Sequence, residues 1–312
     1  MEKERLLVIS SSPHIHSPLD TRAVMAWVLA ALAPAGLASI YFFGIRALAL
    51  IIVCVASCVA SEYLWEKCTH RTITVGDLSA AVTGVLLAYN LPSTLPFWMA
   101  IVGSVFAIIV VKQFFGGIGC NIVNPALDAR AMMLTSWPVQ MTTWTLDGVS
   151  AATPLALIKE GNVDSLRSFV DFFIGHQPGC IGETSSIAIL IGFAILLYKD
   201  IIKWHIPVVY LAVTAILCTL FGRPVGPLYE MFTGGLMLGA VFMATDYTTS
   251  PITRRGQIIF AAGCGVLTAL IRTWGGYPEG VSYSILIMNL TVPLIDRFTK
   301  PRIFGEVKKQ HG

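Results

Sequence analysis

Long, nearly uninterrupted runs of apolar residues constrain this chain more than any other feature of its sequence. Clear examples are the segments 47–60, 97–111, 187–197 and 258–270. A helix needs about 20 residues to cross the roughly 30 Å hydrocarbon core of a bilayer, and it satisfies its own backbone hydrogen bonds there. Charged residues make up only 12% of the chain, about half the share in a typical soluble domain. The sequence therefore predicts an integral membrane protein.

Hydropathy and turn signals predict an all-α polytopic membrane protein with about ten transmembrane helices, some of them short or broken. The third and fifth helices are short for a full crossing of the bilayer. The seven cysteines include no Cys-x-x-Cys pair, so the sequence indicates neither a disulfide framework nor an iron–sulfur site held by this chain alone. The predicted helices are 21–43, 45–64, 77–91, 96–115, 121–136, 182–198, 205–221, 228–245, 257–274 and 282–298.

The distribution of lysine and arginine predicts how these helices are oriented. With the N-terminus in the cytoplasm, fifteen of the 21 basic residues lie on the cytoplasmic side, five on the opposite side and Arg130 inside the fifth helix. Cytoplasmic loops of membrane proteins carry such an excess of positive charge. Both termini are therefore predicted to be cytoplasmic and the connection 137–181 extracytoplasmic. The basic residues form no patch of the kind that binds nucleic acid.

A faint internal repeat divides the predicted helices into two groups of five. The third helix contains Thr83-Gly84 and the eighth contains Thr233-Gly234, while the fourth and ninth both end in Gly-Gly. Five helices per unit would give the two halves inverted topology, although small residues recur in membrane helices in any case. The predicted segments are a cytoplasmic N-terminal segment 1–20, a first repeat 21–136, the extracytoplasmic loop 137–181, a second repeat 182–298 and a cytoplasmic tail 299–312.

Three asparagines mark a candidate pocket between the two repeats. Asn121, Asn124 and Asn289 lie in the helices that close each repeat. Interrupted helices at matching positions of inverted repeats often border a binding site near the middle of the membrane. Side-chain amides there can bind a polar ligand or satisfy the backbone of a broken helix, and the sequence leaves both possibilities open.

Several ionisable residues lie in or beside the predicted helices. Asp128 and Arg130 are two positions apart, so they do not face each other on a regular helix and each needs another partner. Asp77 and Glu183 are placed at helix starts, where the helix dipole favours a negative charge, and Asp246 is placed at a helix end. These carboxylates are predicted to cap helices, and the sequence indicates no ion pathway.

The extracytoplasmic loop contains the segment Asp147-Gly-Val-Ser-Ala-Ala-Thr-Pro-Leu155. Thr153, followed by Pro154, is predicted to be the N-cap of a short helix with proline at its first position. A helix N-terminus offers free backbone N–H groups that suit a phosphate. The small residues before Thr153 predict a hydroxyl that is sterically open to a modifying enzyme. Local physics alone leaves a simple helix cap and a cofactor attachment point both open.

The same segment resembles the Asp-x-x-(Ser/Thr)-(Gly/Ala)-Ala-Thr signature at which a flavin transferase joins FMN to threonine through a phosphodiester bond. The matching residues are Asp147, Ser150, Ala151, Ala152 and Thr153, with Ala151 where glycine is usual. The resemblance implies that Thr153 becomes an FMN phosphoryl threonine and that Asp147, Ser150 and Ala152 form the attachment motif. The methyl group of Ala151 is a small departure, so we expect modification to proceed.

Further motifs along nearly the whole chain are similar to the RnfD/NqrB family. The short N-terminal segment and the last parts of the final two motifs are closer to the RnfD branch of the family than to its NqrB branch. The motifs are FGGIGCN at 115–121 with NPA at 124–126, FMATD at 242–246, IRTWGGYPEG at 271–280 and NLTVPLID at 289–296.

This resemblance implies a membrane subunit of an Rnf-type enzyme, which passes electrons between ferredoxin and NAD and moves Na⁺ or H⁺ across the bacterial inner membrane. Covalent FMN would be one electron-transfer link, and a noncovalent riboflavin would occupy the pocket near Asn121, Asn124 and Asn289. The implied partners are other Rnf subunits, the flavin transferase and the lipid bilayer.

Other functions remain open at the level of sequence. They are an NqrB-like subunit of a sodium-pumping quinone reductase, a solute channel or transporter built from inverted repeats, and a membrane scaffold for other subunits. The sequence contains no recognisable nicotinamide or ferredoxin site. We therefore expect no catalysis from this chain alone.

Overall fold

The named secondary-structure elements in the described part of the chain are helices and one short hairpin. The computed structural model describes residues 20–146, 149–162, 166–175, 177–277 and 279–301. Within these ranges there are fourteen α-helices and two antiparallel two-residue strands, β1 (Thr145–Leu146) and β2 (Val149–Ser150). The helical fold class predicted from the sequence is confirmed.

Every predicted segment overlaps at least one observed helix, although several bounds differ. Two of the helices continue as wider π-helical turns, Phe106–Gln113 after the fourth helix and Gly239–Met243 after the twelfth. Such turns are frequent at functional sites. The helices are α1 Thr21–Phe43, α2 Ile45–Cys68, α3 Ser79–Tyr89, α4 Phe97–Val105, α5 Pro125–Ser136, α6 Pro138–Met141, α7 Pro154–Lys159, α8 Phe169–Ile174, α9 Ser186–Tyr198, α10 His205–Leu220, α11 Pro227–Phe232, α12 Leu236–Leu238, α13 Arg254–Trp274 and α14 Val281–Thr299.

Side-chain caps fix where several helices begin. The Asn124 side chain accepts hydrogen bonds from two backbone N–H groups at the start of α5, and Ser185 caps α9. The Asp77 carboxylate accepts from the backbone N–H of Ser79 at 2.8 Å, as predicted for a helix start. The predicted beginnings at 121 and 182 are therefore wrong by about one helical turn, because the capping residue sets the start.

The longest helices form an outer surface suited to lipid. Helices α1, α2 and α13 are long and apolar enough to cross a membrane, while α3, α4 with its extension, α9 and α10 are shorter apolar helices. Large apolar side chains on the outer faces, such as Leu37, Ile45 and Leu220, are exposed. A soluble monomer rarely exposes so much contiguous apolar surface. The chain is accordingly a multi-pass membrane protein.

The short and broken helices lie in the interior. Leu87 in α3, Leu127 in α5 and Leu238 in α12 are fully buried. The predicted helix 228–245 is wrong as a single element, because α11 and α12 are separated by a turn at residues 233–235. Gly234 has φ +67° in this turn, a left-handed conformation that interrupts a right-handed helix and favours glycine.

The close packing of α1 against α9 depends on Gly192. A Cβ added there would overlap the carbonyl oxygen of Ala31 and lie 2.8 Å from the ring of Phe242. We expect Gly192→Ala to destabilise the protein by about 1–3 kcal/mol, because overpacking forces backbone to shift. Thermal melting in detergent measures this effect. Gly76→Ala is the matched control, since a Cβ there meets nothing within 4 Å; equal melting temperatures for the two variants would contradict this packing.

Candidate cofactor site

Thr153 lies at the start of α7, with its side chain folded back on the first turn. Its Oγ1 accepts a hydrogen bond from the backbone N–H of Ala156 at 3.3 Å, and Pro154 occupies the first helical position. The predicted N-cap is confirmed. The hairpin of β1 and β2 precedes it, and the backbone N–H of Ala151 donates to the carbonyl of Trp144 at 3.1 Å. Thr153 is thus held between a hairpin and a helix.

The remaining residues of the attachment sequence are only partly described. Asp147 lies outside the described residues. Ser150 belongs to β2, where its backbone pairs with Thr145, and its side chain is not described. Ala152 is exposed. Their roles in attachment therefore stay predictions.

The Thr153 side chain is buried, with 6% of the residue exposed. The small neighbours of Thr153 predict a hydroxyl sterically open to a modifying enzyme, whereas in this arrangement the residue is buried. The segment containing Gln177 and Glu183 and the turn at Gly234 lie over the side chain on one face of α7. These covering segments come from distant parts of the chain, so the small residues beside Thr153 could not reveal them.

A larger cavity, of about 290 Å³, is also lined by Thr153. Its walls include the aromatic side chains of Trp144, Tyr277 and Tyr283. The rings of Tyr277 and Tyr283 are stacked, with centroids 6.1 Å apart and planes inclined by 29°. Apolar, aromatic cavities with a few fixed polar groups are typical of cofactor sites. The cavity therefore suits a flat aromatic ring system attached at Thr153.

A buried ion pair forms the polar wall of this cavity. Arg130 in α5 binds the carboxylate of Glu279 and donates to Asn90 and Ser282, each at 3.1 Å. It also contacts the sulfur of Cys180 at 3.5 Å. The prediction that Arg130 needs a partner other than Asp128 is confirmed. One guanidinium thus joins α5, α14 and the loops after α3 and before α9.

Glu183 and Cys180 lie next to this ion pair, in the connection before α9 and outside the apolar helices. Glu183 Oε1 accepts a hydrogen bond from the backbone N–H of Cys180 at 2.9 Å. Its predicted place at a helix start is wrong, because α9 begins at Ser186. Burial, together with the nearby carboxylate of Glu279, raises the pKa of Glu183. Burial also raises the pKa of the Cys180 thiol, which therefore stays protonated at neutral pH.

A second buried ion network positions the loop that carries Tyr277 and Glu279. Arg272 donates to Glu230 at 2.9 Å and to the carbonyls of Thr233 and Glu279. Arg223 binds the same Glu230 at 2.5 Å. This network joins α13 to the broken helix and holds the first residue of the turn at residues 233–235.

The three predicted pocket asparagines are close together but have different surroundings. Asn121 and Asn124 line a separate cavity of about 110 Å³, together with Lys112 and Asp246. Asn289, oriented so that its nitrogen faces carbonyl groups, donates to Thr249 and Ile285 and accepts from the backbone N–H of Asn124 at 3.1 Å. Asp246 accepts from the hydroxyls of Thr248 and Thr249, which is a local capping role.

Sequence reasoning missed most residues of the aromatic cavity. Tyr277 and Glu279 lie in the motif at 271–280, so the motif could have indicated them as site residues. Trp144 and Tyr283 carried no signal, because their relevance depends on the hairpin and on α14 meeting beside Thr153. A cavity assembled from four separate segments cannot be read from spacing.

These features define a polytopic membrane protein with an aromatic cavity beside Thr153. A family model described as the NQR2, RnfD, RnfE family matches residues 8–305. The chain belongs to this family.

Its relatives include the D subunits of ion-translocating oxidoreductases. The chain is 54% identical over 308 residues to the D subunit of the Na⁺-translocating ferredoxin:NAD⁺ oxidoreductase complex of Acetobacterium woodii, covering 97% of this chain and 96% of the relative. It is 45% identical to the D subunit of the proton-translocating ferredoxin:NAD⁺ oxidoreductase complex of Clostridium ljungdahlii, covering 97% of each chain. It is 35% identical to the D subunit of an ion-translocating oxidoreductase complex of Escherichia coli, covering 96% and 99%. The predicted likeness to the RnfD branch is confirmed.

Proposed function

We propose that this chain is the D subunit of an ion-translocating ferredoxin:NAD⁺ oxidoreductase and that it carries FMN covalently bound to Thr153. One observation carries the proposal: the threonine of the attachment sequence lines an aromatic cavity of about 290 Å³. A threonine that only capped a helix would need no such cavity. A channel or an inert scaffold would have no use for a flavin attachment sequence.

The residues around the cavity fit FMN. Trp144, Tyr277 and Tyr283 would hold the flat ring system, and the ion pair of Arg130 with Glu279 supplies fixed polar groups in the wall. When bound, FMN accepts and donates electrons singly or in pairs, which suits a link between other redox centres. The tether at Thr153 would prevent loss of the cofactor.

Ferredoxin and NAD would react at other subunits, with this chain passing electrons within the complex. The names of its relatives include both Na⁺-translocating and proton-translocating enzymes. Coupling to Na⁺ or H⁺ transport is therefore part of the proposal, without a choice between the two ions. Other Rnf subunits, a flavin transferase and the bacterial inner membrane are the proposed partners and location.

A second, noncovalent flavin such as riboflavin is proposed for the cavity lined by Asn121 and Asn124. Asn121 donates to the carbonyl of Val123 at 3.1 Å, and Asp246 lines the same cavity. Asn289 supports this cavity indirectly, since it holds the backbone of Asn124.

The covalent flavin has a direct test. Protein coexpressed with the flavin transferase should give a fluorescent band after denaturing electrophoresis, because a phosphodiester survives denaturation. The peptide that contains Thr153 should gain the mass of FMN minus one water. An unmodified Thr153 peptide from such protein would refute the proposal.

We propose about ten spans in two inverted repeats, with both termini cytoplasmic and the Thr153 loop extracytoplasmic. The excess of basic residues on one side supports this orientation. Alkaline phosphatase fused after Gly161 should be active, because it would be exported, and the same enzyme fused after Asp200 should be inactive. Fused green fluorescent protein should give the opposite pattern; any other pattern would overturn the orientation.

A further inference from the structure

A second cavity, much smaller, lies directly behind Thr153. It has a volume of about 10 Å³, which is enough for a single water molecule or ion of that size. Polar side chains from two separate segments line it together with Thr153: Gln177 and Glu183 from one, and Glu279 from the other. Gly234 closes it from the broken helix.

Two oxygen atoms at this cavity are buried and have no hydrogen-bond partner among the described residues. They are Oε1 of Gln177 and Oε2 of Glu183. The other polar atom of each side chain is engaged, since Gln177 Nε2 donates to the carbonyl of Thr184 at 3.1 Å and Glu183 Oε1 accepts from Cys180. Each side chain is thus held in place by one hydrogen bond, and each has one oxygen atom without a described partner. Buried acceptors of this kind are costly unless a donor or cation satisfies them.

Glu183 receives no described hydrogen bond from Arg130, the arginine that binds the neighbouring carboxylate of Glu279. Ligand atoms of Cys180, Glu183 and Glu279 lie within 4.8 Å of one another. Arg130 binds Glu279, and its other donors go to Asn90, Ser282 and Cys180. In the described part of the chain, none of its hydrogen bonds reaches Glu183. The immediate cluster therefore holds two carboxylates and one guanidinium.

The neighbouring arginines do not supply the missing donor. Arg272 and Arg223 share Glu230, and the remaining hydrogen bonds of both go to backbone carbonyls. The unpaired oxygen atoms of Gln177 and Glu183 also favour one class of ligand. Amide and carboxylate oxygens suit a hard cation, and the Cys180 thiol donates to the carbonyl of Asn90 at 3.2 Å. The small volume of the cavity admits one small cation.

We propose that a dehydrated monovalent cation of the size of Na⁺ binds between Gln177, Glu183 and Glu279, directly behind Thr153. The significance of this site rests on the proposed function, because it would place a transported ion beside the flavin attachment point. A cation here and negative charge on a flavin in the adjacent cavity would stabilise each other, and this coupling is reciprocal. Esterification of Thr153 would remove its hydroxyl proton and so leave the cavity with fewer donors.

The test uses the purified full-length protein carrying its flavin. Thermal melting in detergent is compared in NaCl, KCl and choline chloride at equal ionic strength. We expect a rise in Tm that saturates with NaCl and is much smaller with the other salts, because a ligand bound to the folded state stabilises it. ²³Na NMR line broadening should saturate over the same concentration range.

Variants separate this site from general salt effects. Glu183→Gln and Gln177→Leu should abolish the Na⁺-specific rise in Tm. Glu160→Gln, which changes an exposed carboxylate at the end of α7, should retain it. Gly235→Ala should also reduce the Na⁺-specific rise in Tm, because a Cβ there would lie 3.0 Å from Glu183 Oε2 and narrow the cavity.

Equal effects of all three salts, or a Na⁺ response that survives Glu183→Gln, would overturn the cation site. In-gel flavin fluorescence is read from the same samples. A fluorescent band without a Na⁺ response refutes only the ion site, whereas a missing band in the unaltered protein refutes the proposed function.

Discussion

Replacing Thr153 with alanine is expected to remove all covalently bound flavin from the protein. Alanine has no hydroxyl, so the phosphodiester cannot form. The measurement is fluorescence of the denatured band, normalised to protein, together with the mass of the peptide at 153. The same change also removes the helix cap to Ala156, which should cost only about 1 kcal/mol of stability. The protein should therefore still fold and be extracted from the membrane.

Two control variants make this result specific. Thr153→Ser keeps both the hydroxyl and the cap, so it should retain covalent flavin. Thr143→Ala removes an exposed hydroxyl in the same connection, and labelling should be unaffected. Covalent flavin that persists in Thr153→Ala would locate the attachment elsewhere.

The burial of Thr153 has a consequence for maturation. In the folded arrangement only 6% of the residue is exposed, beneath the Gln177–Glu183 segment and the turn at Gly234. An enzyme approaching from solvent cannot reach the hydroxyl there. Under the proposed function, a flavin transferase would act before the covering segments dock or when they open locally, and low-stability loops open in this way.

Most helices of the fold are predictable because hydropathy and turn chemistry are local properties. The first helix is predicted at 21–43, as observed, with Asp20 capping it. The cap at Asn124 followed by Pro125 is also visible in the sequence, although the predicted helix begins three positions before the cap. The break at residues 233–235 is missed, because a glycine pair inside an apolar run is common in membrane helices and does not by itself interrupt one.

The candidate site is predictable only at its anchor. Thr153 stands in a recognisable sequence, but Trp144, Tyr283 and Arg130 meet it through tertiary packing. Arg130 is identifiable as a buried charge that needs a partner, whereas the choice of Glu279, 149 positions away, depends on how α5 packs against α14. Local patterns carry no information on such long-range pairing.

The ion pair of Arg130 with Glu279 gives the second large expected effect. Replacing Arg130 with methionine keeps much of the length of the side chain but leaves Glu279 without its buried partner. Asn90 and Ser282 also lose a hydrogen bond each. Breaking a buried pair from one side typically costs about 3–5 kcal/mol. We expect Arg130→Met to destabilise the protein by this amount, measured as unfolding in mixed detergent.

The control is the exposed pair of Lys203 with Asp200, at 2.6 Å. Lys203→Met should cost no more than about 1 kcal/mol, because water already screens both charges. The double variant Arg130→Met with Glu279→Gln should recover part of the loss, since it no longer buries an unpaired carboxylate. If Arg130→Met were no more costly than Lys203→Met, the pair would not hold the cavity wall together. If the double variant showed no recovery, the cost would come from lost packing around the guanidinium rather than from the orphaned charge. Comparison of the single and double variants therefore distinguishes electrostatic stabilisation of the cavity wall from stabilisation by side-chain packing.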